Sequence, residues 1–79
     1  MKKQMLTEFR EIAAREFQRL IREGSLSAEA VHQATLGTIF EEGSVLFELY
    51  IPSELPHEAR VLATVRIDTK SREAQVSVA

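Results

Sequence analysis

Hydrophobic residues occupy every second position in three runs of the C-terminal half of the chain. Successive side chains of a β-strand point to opposite faces of its sheet, so each run predicts a strand with one apolar face. The predicted strands cover residues 44–51, 59–68 and 73–78. Their shared apolar face comprises Val45, Phe47, Leu49, Ile51, Val61, Ala63, Val65, Ile67, Ala74, Val76 and Val78.

The N-terminal part of the chain has a helical pattern instead. Apolar residues recur at three- and four-residue spacing over residues 3–23, which predicts one long amphipathic helix. Gly24 follows at a position that suits the end of a helix. Ser27 is a favourable N-cap, so a short second helix is predicted to begin near Ala28.

Residues 35–40 fit two kinds of element. Their β-branched and aromatic side chains favour a strand, and Glu41-Glu42-Gly43 then fits a short hairpin loop. The alternative is a helix that continues to Glu41. We predict the strand, because Gly37 weakens a helix at this point.

These elements together predict an α+β fold. A long N-terminal helix and a short second helix are expected to pack on one face of a three- to four-stranded antiparallel meander sheet. The 79 residues have room for a single small domain, with a helical part at 1–34 and a sheet part at 35–79. The core is expected to contain Phe9, Ile12, Phe17 and Leu20 from the first helix and Phe47, Leu49, Val65 and Val76 from the sheet.

The opposite face of the predicted sheet is a candidate partner-binding surface. Its predicted residues are Leu46, Glu48, Tyr50, Leu62, Thr64 and Arg66. A sheet face that contacts only water is normally polar, but three of these residues are apolar. A contiguous exposed apolar patch is typical of an interface. Two hypotheses stay open: the face binds a protein partner or a second copy of the chain, or the second helix or the loop at 52–58 folds over it.

Self-association has a second possible route at the predicted sheet edge. The final strand, at 73–78, would present unpaired backbone groups to another copy. A homodimer or a complex with a foreign protein partner is expected, because a domain of this size has little buried surface and gains stability from association.

Charge and composition bear on nucleic-acid binding. The net charge is −2, with 44% hydrophobic and 28% charged residues, which is typical of a globular protein. Nucleic-acid binders usually carry a basic excess, and this chain has none. The alternative function is a nucleic-acid-contacting module that uses Tyr50, Arg60 and Arg66 near the basic last hairpin. Acidic residues between these arginines favour cross-strand ion pairs instead.

Residue sets for catalysis, metal binding or cofactor binding are missing from the sequence. The chain has no cysteine, which excludes disulfides and thiolate zinc sites. His57 near Glu54 lacks metal-ligand spacing, and neither His57 nor His32 adjoins a nucleophile. We therefore predict no enzyme, no metal and no cofactor. We also expect no signal peptide and no membrane-spanning run, and hence a cytoplasmic protein.

The sequence predicts a non-catalytic protein-binding module that acts as a small inhibitor, adaptor or regulatory subunit. This expectation combines the absent chemistry with the apolar residues on the second sheet face. Small inhibitors encoded by phages and other mobile elements share this profile, as do many bacterial accessory proteins.

Overall fold

Two helices pack against a four-stranded antiparallel sheet in the computed structural model, which describes residues 3–53, 55 and 58–79. The helices are α1 (Lys3–Arg22) and α2 (Ala28–His32). The strands are β1 (Thr35–Glu41), β2 (Ser44–Ile51), β3 (Arg60–Asp68) and β4 (Ala74–Val78). Their spatial order is β1-β2-β3-β4, so each strand pairs with its neighbour in sequence. The predicted α+β meander is confirmed.

The helix boundaries follow from local capping. Gly24 has a φ of +80°, a left-handed conformation that glycine adopts without a Cβ penalty. The N–H groups of Ser25 and Leu26 then donate to the carbonyl oxygen of Leu20 at 2.9 and 3.2 Å. At the start of α2, Ser27 Oγ accepts a hydrogen bond from the N–H of Ala30 at 3.3 Å.

Residues 35–40 form a strand, as predicted, rather than an extension of α2. Every residue of β1 has a partner on β2, from Thr35 opposite Tyr50 to Glu41 opposite Ser44. A two-residue turn joins these strands, and Gly43 has a φ of +79° within it. The pairing with β2 therefore decides the conformation of this segment.

The core lies between α1 and one face of the sheet. Its buried residues on α1 are Phe9, Ala13, Phe17 and Leu20. The sheet contributes Val45, Phe47, Leu49, Leu62, Ala63, Val65 and Ile67. Ile12 and Val76, which were predicted in the core, are partly buried and pack against it. Ala30 and Val31 of α2 also pack against this core.

A β-bulge in β3 reverses the expected positions of two neighbouring residues. Leu49 opposes Ala63 and Tyr50 opposes Val61, so Leu62 is an extra residue without a partner on β2. Leu62 is only 6% exposed and belongs to the core, whereas Val61 is 37% exposed. The predictions that Leu62 lies on the opposite face and Val61 on the apolar face that α1 covers are therefore wrong, because the bulge interrupts the alternation.

Candidate interaction surface

The sheet face opposite α1, here called the open face, is defined by the strand register. Directly opposed residues share a face, and Leu46 opposes Arg66 while Glu48 opposes Thr64. The face comprises Thr35, Gly37, Ile39, Glu41, Ser44, Leu46, Glu48, Tyr50, Val61, Thr64, Arg66, Asp68, Gln75 and Ser77. The register thus brings together the predicted binding residues apart from Leu62. Because α1 and α2 pack against the core on the other side, neither helix covers the open face.

Two apolar pairs lie on the open face and are separated along β2 by Glu48. Ile39 directly opposes Leu46, and Tyr50 directly opposes Val61. Ile39 is 43% exposed, whereas Leu46 and Tyr50 are half-buried by their neighbours. Glu48 lies between Leu46 and Tyr50 on the same strand and makes no ion pair with any described residue. The patch is therefore apolar on both sides of one carboxylate.

The sequence pattern missed two members of this patch. The position of Ile39 on the open face can be inferred from the alternation of β1 only once the register between β1 and β2 is known. Val61 reaches the open face through the bulge, which no sequence signal marks. Both residues add exposed apolar area beside Leu46 and Tyr50.

An ion pair spans β2 at one end of the open face. Arg66 Nε donates to Glu41 Oε1 at 2.9 Å, and Ser44 Oγ donates to the same oxygen at 3.2 Å. The Arg66 hydrogen bond is the main reason that the pKa of Glu41 lies below its ordinary value; the Ser44 hydrogen bond acts in the same direction. These charged groups form a polar boundary to the apolar patch.

The turn between β3 and β4 is fixed by a carboxylate. Asp68 Oδ1 accepts hydrogen bonds from the N–H groups of Ser71 and Lys70, each at 2.8 Å. These backbone donors lower the pKa of Asp68 from its ordinary value. Arg72 follows with a φ of 64° and forms an ion pair with Glu8 of α1.

Two arginines of the last hairpin, Arg66 and Arg72, are engaged by carboxylates, whereas Arg60 at the start of β3 is exposed. Arg66 pairs with Glu41 and Arg72 pairs with Glu8. Each pair offsets positive charge that a nucleic acid would need to find on this surface. The predicted pairing of these arginines with acidic residues is therefore present for Arg66 and Arg72.

The described residues, 3–53, 55 and 58–79, include a shallow groove but no cluster of metal ligands. Within these ranges, no group of three or more His, Cys, Asp or Glu side chains is arranged to hold a metal ion. Glu54 and His57, considered from the sequence as metal ligands, lie outside the described residues. A shallow groove on the open face is lined by Leu46, Thr64, Arg66, Val76 and neighbouring β4 residues.

The two described helices differ greatly in length, and neither is both long enough and apolar enough to span a membrane. Comparison of the chain with protein-family models, with curated proteins and with solved structures found no match.

Proposed function

We propose that this chain is a non-catalytic protein-binding module, which acts in the cytoplasm as a small inhibitor, adaptor or regulatory subunit. The supporting observation is the pairing of Ile39 with Leu46 and of Tyr50 with Val61 on a sheet face that neither helix covers. Exposed apolar side chains grouped on one uncovered sheet face commonly mark a protein interface. Tyr50 is a suitable anchor, because its ring combines a rigid apolar body with a polar hydroxyl.

The charges around the patch indicate the chemistry of the partner. Glu48 lies within the apolar surface and lacks an ion-pair partner among the described residues. Burial of this carboxylate in an interface would be costly unless the partner supplied a cation or hydrogen-bond donors. We therefore expect a partner surface with an apolar centre and a lysine or arginine placed against Glu48.

Affinity capture with matched variants tests this function. Tagged wild type, Leu46→Glu and Gln18→Glu are used as baits in extracts of the source organism. Leu46 lies in the patch and Gln18 is exposed on α1, so both variants add one negative charge on different surfaces. A protein retained by wild type and Gln18→Glu but lost from Leu46→Glu is then purified and titrated directly against each bait.

The purified partner is expected to bind Leu46→Glu at least tenfold more weakly than wild type, and Gln18→Glu with unchanged affinity. Glu48→Gln should also weaken binding and reduce its dependence on salt, because a charge pair would be lost. Equal binding to wild type and Leu46→Glu, or the absence of any directly binding protein, would contradict the proposed function. Far-UV circular dichroism of each bait confirms that it is folded.

A further inference from the structure

Strand β1 is an edge of the sheet, and its outer backbone groups can be assigned from the register. The N–H of Thr69, just after β3, donates to the carbonyl oxygen of Gly43, just before β2, at 3.0 Å. The backbone N–H and C=O groups of the odd-numbered residues of β2 therefore face β3. Hydrogen-bonded pairs alternate along an antiparallel ladder. The even-numbered residues of β2 therefore bond to β1, and the N–H and C=O groups of Leu36, Thr38 and Phe40 face outwards.

The side chains of this edge are unusually apolar. Leu36 is 42% exposed and Phe40 is 61% exposed on the core side of the sheet, and Ile39 is 43% exposed on the open face. Natural edge strands are commonly protected by charged residues, proline or bulges. Residues 36–40 contain no charge and no proline, and β1 pairs with β2 without a register shift. By contrast, β4 is shorter and has polar Gln75 and Ser77.

We propose that a second copy of this chain covers the edge, with the two β1 strands antiparallel about a two-fold axis at Thr38. Each Leu36 then opposes Phe40 of the second copy, so the two exposed apolar side chains cover each other twice. Glu41 opposes Thr35 of the second copy, which keeps like charges from facing each other. The pairing adds about six backbone hydrogen bonds, two for each opposed outward-facing pair.

This register is favoured by the length of the strand. Thr38 is the middle residue of β1 (Thr35–Glu41), and its backbone groups face outwards. An axis at Leu36 or Phe40 would leave part of the strand unpaired and would separate Leu36 from Phe40 of the second copy. Pairing at Thr38 is therefore the arrangement that uses the whole edge.

The rest of the fold leaves room for this dimer. Helix α1 packs mainly over β2, β3 and β4. Its Lys3 and Leu6 line a groove with Phe40 and Glu41, but Phe40 remains 61% exposed at the edge. The dimer has one eight-stranded sheet and a continuous open face from two copies. A contact limited to one pair of short strands is small for a specific interface, so we expect the dimer to dissociate on dilution. Its formation is independent of which protein the open face binds.

Sedimentation and cross-linking test the dimer together. Wild type is studied by sedimentation equilibrium over roughly 1 to 500 μM, which spans weak to moderate affinities. The chain has no cysteine, so Thr38→Cys introduces a single thiol. Opposed Cα atoms in a hydrogen-bonded pair are about 5.5 Å apart, within the range that a disulfide can bridge. Ser77→Cys on β4 is the matched control.

Wild type is expected to dimerise in this range, and Thr38→Cys to form a disulfide-linked dimer on mild oxidation while Ser77→Cys does not. Phe40→Asp should shift dimerisation to at least tenfold higher concentration, and Val78→Asp on the other edge should leave it unchanged. If Phe40→Asp fails to fold, Thr38→Pro replaces it, because proline removes an outward N–H without breaking the ladder to β2.

Three results would overturn the β1 dimer. The first is a wild type that stays monomeric throughout the range. The second is efficient cross-linking of Ser77→Cys without cross-linking of Thr38→Cys. The third is a dimer that Leu46→Glu dissociates while Phe40→Asp does not, which would assign self-association to the open face. The first two results leave binding of a foreign protein by the open face untouched. The third would place the second copy on that face, and affinity capture with Leu46→Glu then decides separately whether a foreign protein also binds there.

Discussion

The ring of Tyr50 lies against Gly37, so that a methyl group at residue 37 would meet Tyr50 Cε1 at 3.1 Å. The two residues belong to β2 and β1, and Gly37 itself opposes Glu48. The ring therefore leans diagonally across the ladder and covers a position without a side chain. This contact sets the orientation of the aromatic residue that we propose as an anchor on the open face.

Gly37→Ala is expected to move the Tyr50 ring by a few tenths of an ångström while keeping the fold. The chain has one tyrosine and no tryptophan, so its tyrosine emission and most of its near-ultraviolet aromatic ellipticity report this ring. Both signals should change, with a stability change within about 1 kcal/mol, since reduced chain entropy in the unfolded state offsets the closer contact. Thr38→Ala is the control and should leave the tyrosine signals unchanged; an equal change in both variants would argue against the contact.

Truncation of the two residues at the β3 bulge should have unequal effects. Leu62→Ala is expected to cost about 2–5 kcal/mol of unfolding free energy, because it leaves a cavity in the core. Val61→Ala should cost less than about 1 kcal/mol, since the Val61 side chain is exposed. Urea denaturation of both variants measures the difference. A larger loss of unfolding free energy for Val61→Ala than for Leu62→Ala would contradict the bulge. It would mean that β3 alternates without interruption and that Val61 lies in the core.

Replacement of Arg72 by glycine should leave the protein more stable than replacement by alanine. Both substitutions remove the ion pair with Glu8, so their difference isolates the effect of the positive φ of 64° at this position. The left-handed region costs a residue with a Cβ roughly 1–2 kcal/mol, and glycine avoids that cost. Arg72→Gly should therefore be more stable than Arg72→Ala by about 1 kcal/mol in thermal or urea unfolding. Equal stabilities would mean that the turn relaxes to a negative φ.

The interaction between Glu41 and Arg66 should depend on pH. The hydrogen bond from Arg66 lowers the folded-state pKa of Glu41, so its stabilising contribution is complete above the ordinary glutamate pKa. The contribution declines as the pH falls through the lowered folded-state value. A double-mutant cycle with Glu41→Gln and Arg66→Gln should give favourable coupling at neutral pH and none in strong acid. Added salt should weaken the coupling energy at neutral pH. A coupling energy that does not change with pH would exclude an ion pair between the two residues.

The secondary structure was predictable where one periodicity extended over a whole element. The helical spacing of α1 and the alternation of β2 each leave one arrangement that buries the apolar residues, and both elements form as predicted. The N-cap of α2 was also visible, because Ser27 has the side chain that the cap requires.

The bulge could not be predicted, because Val61 and Leu62 are both apolar and either could fill the core. Its position depends on how β3 pairs with β2 across the sheet, and this pairing is a non-local property. The exposure of Phe40 could not be predicted from the sequence either. Alternation places it on the core side, but α1 lies mainly over the other three strands and leaves Phe40 largely exposed.

Photo-cross-linking in cells of the source organism tests the binding role of the open face most directly. A photoreactive phenylalanine analogue replaces Thr64 near the centre of the open face, or Gln18 on the exposed side of α1 as the control. We predict a cross-link from residue 64 to one foreign protein, with no corresponding product from residue 18. The same partner cross-linked only from residue 18, or no foreign protein cross-linked from residue 64, would contradict the assignment of the open face as the binding surface.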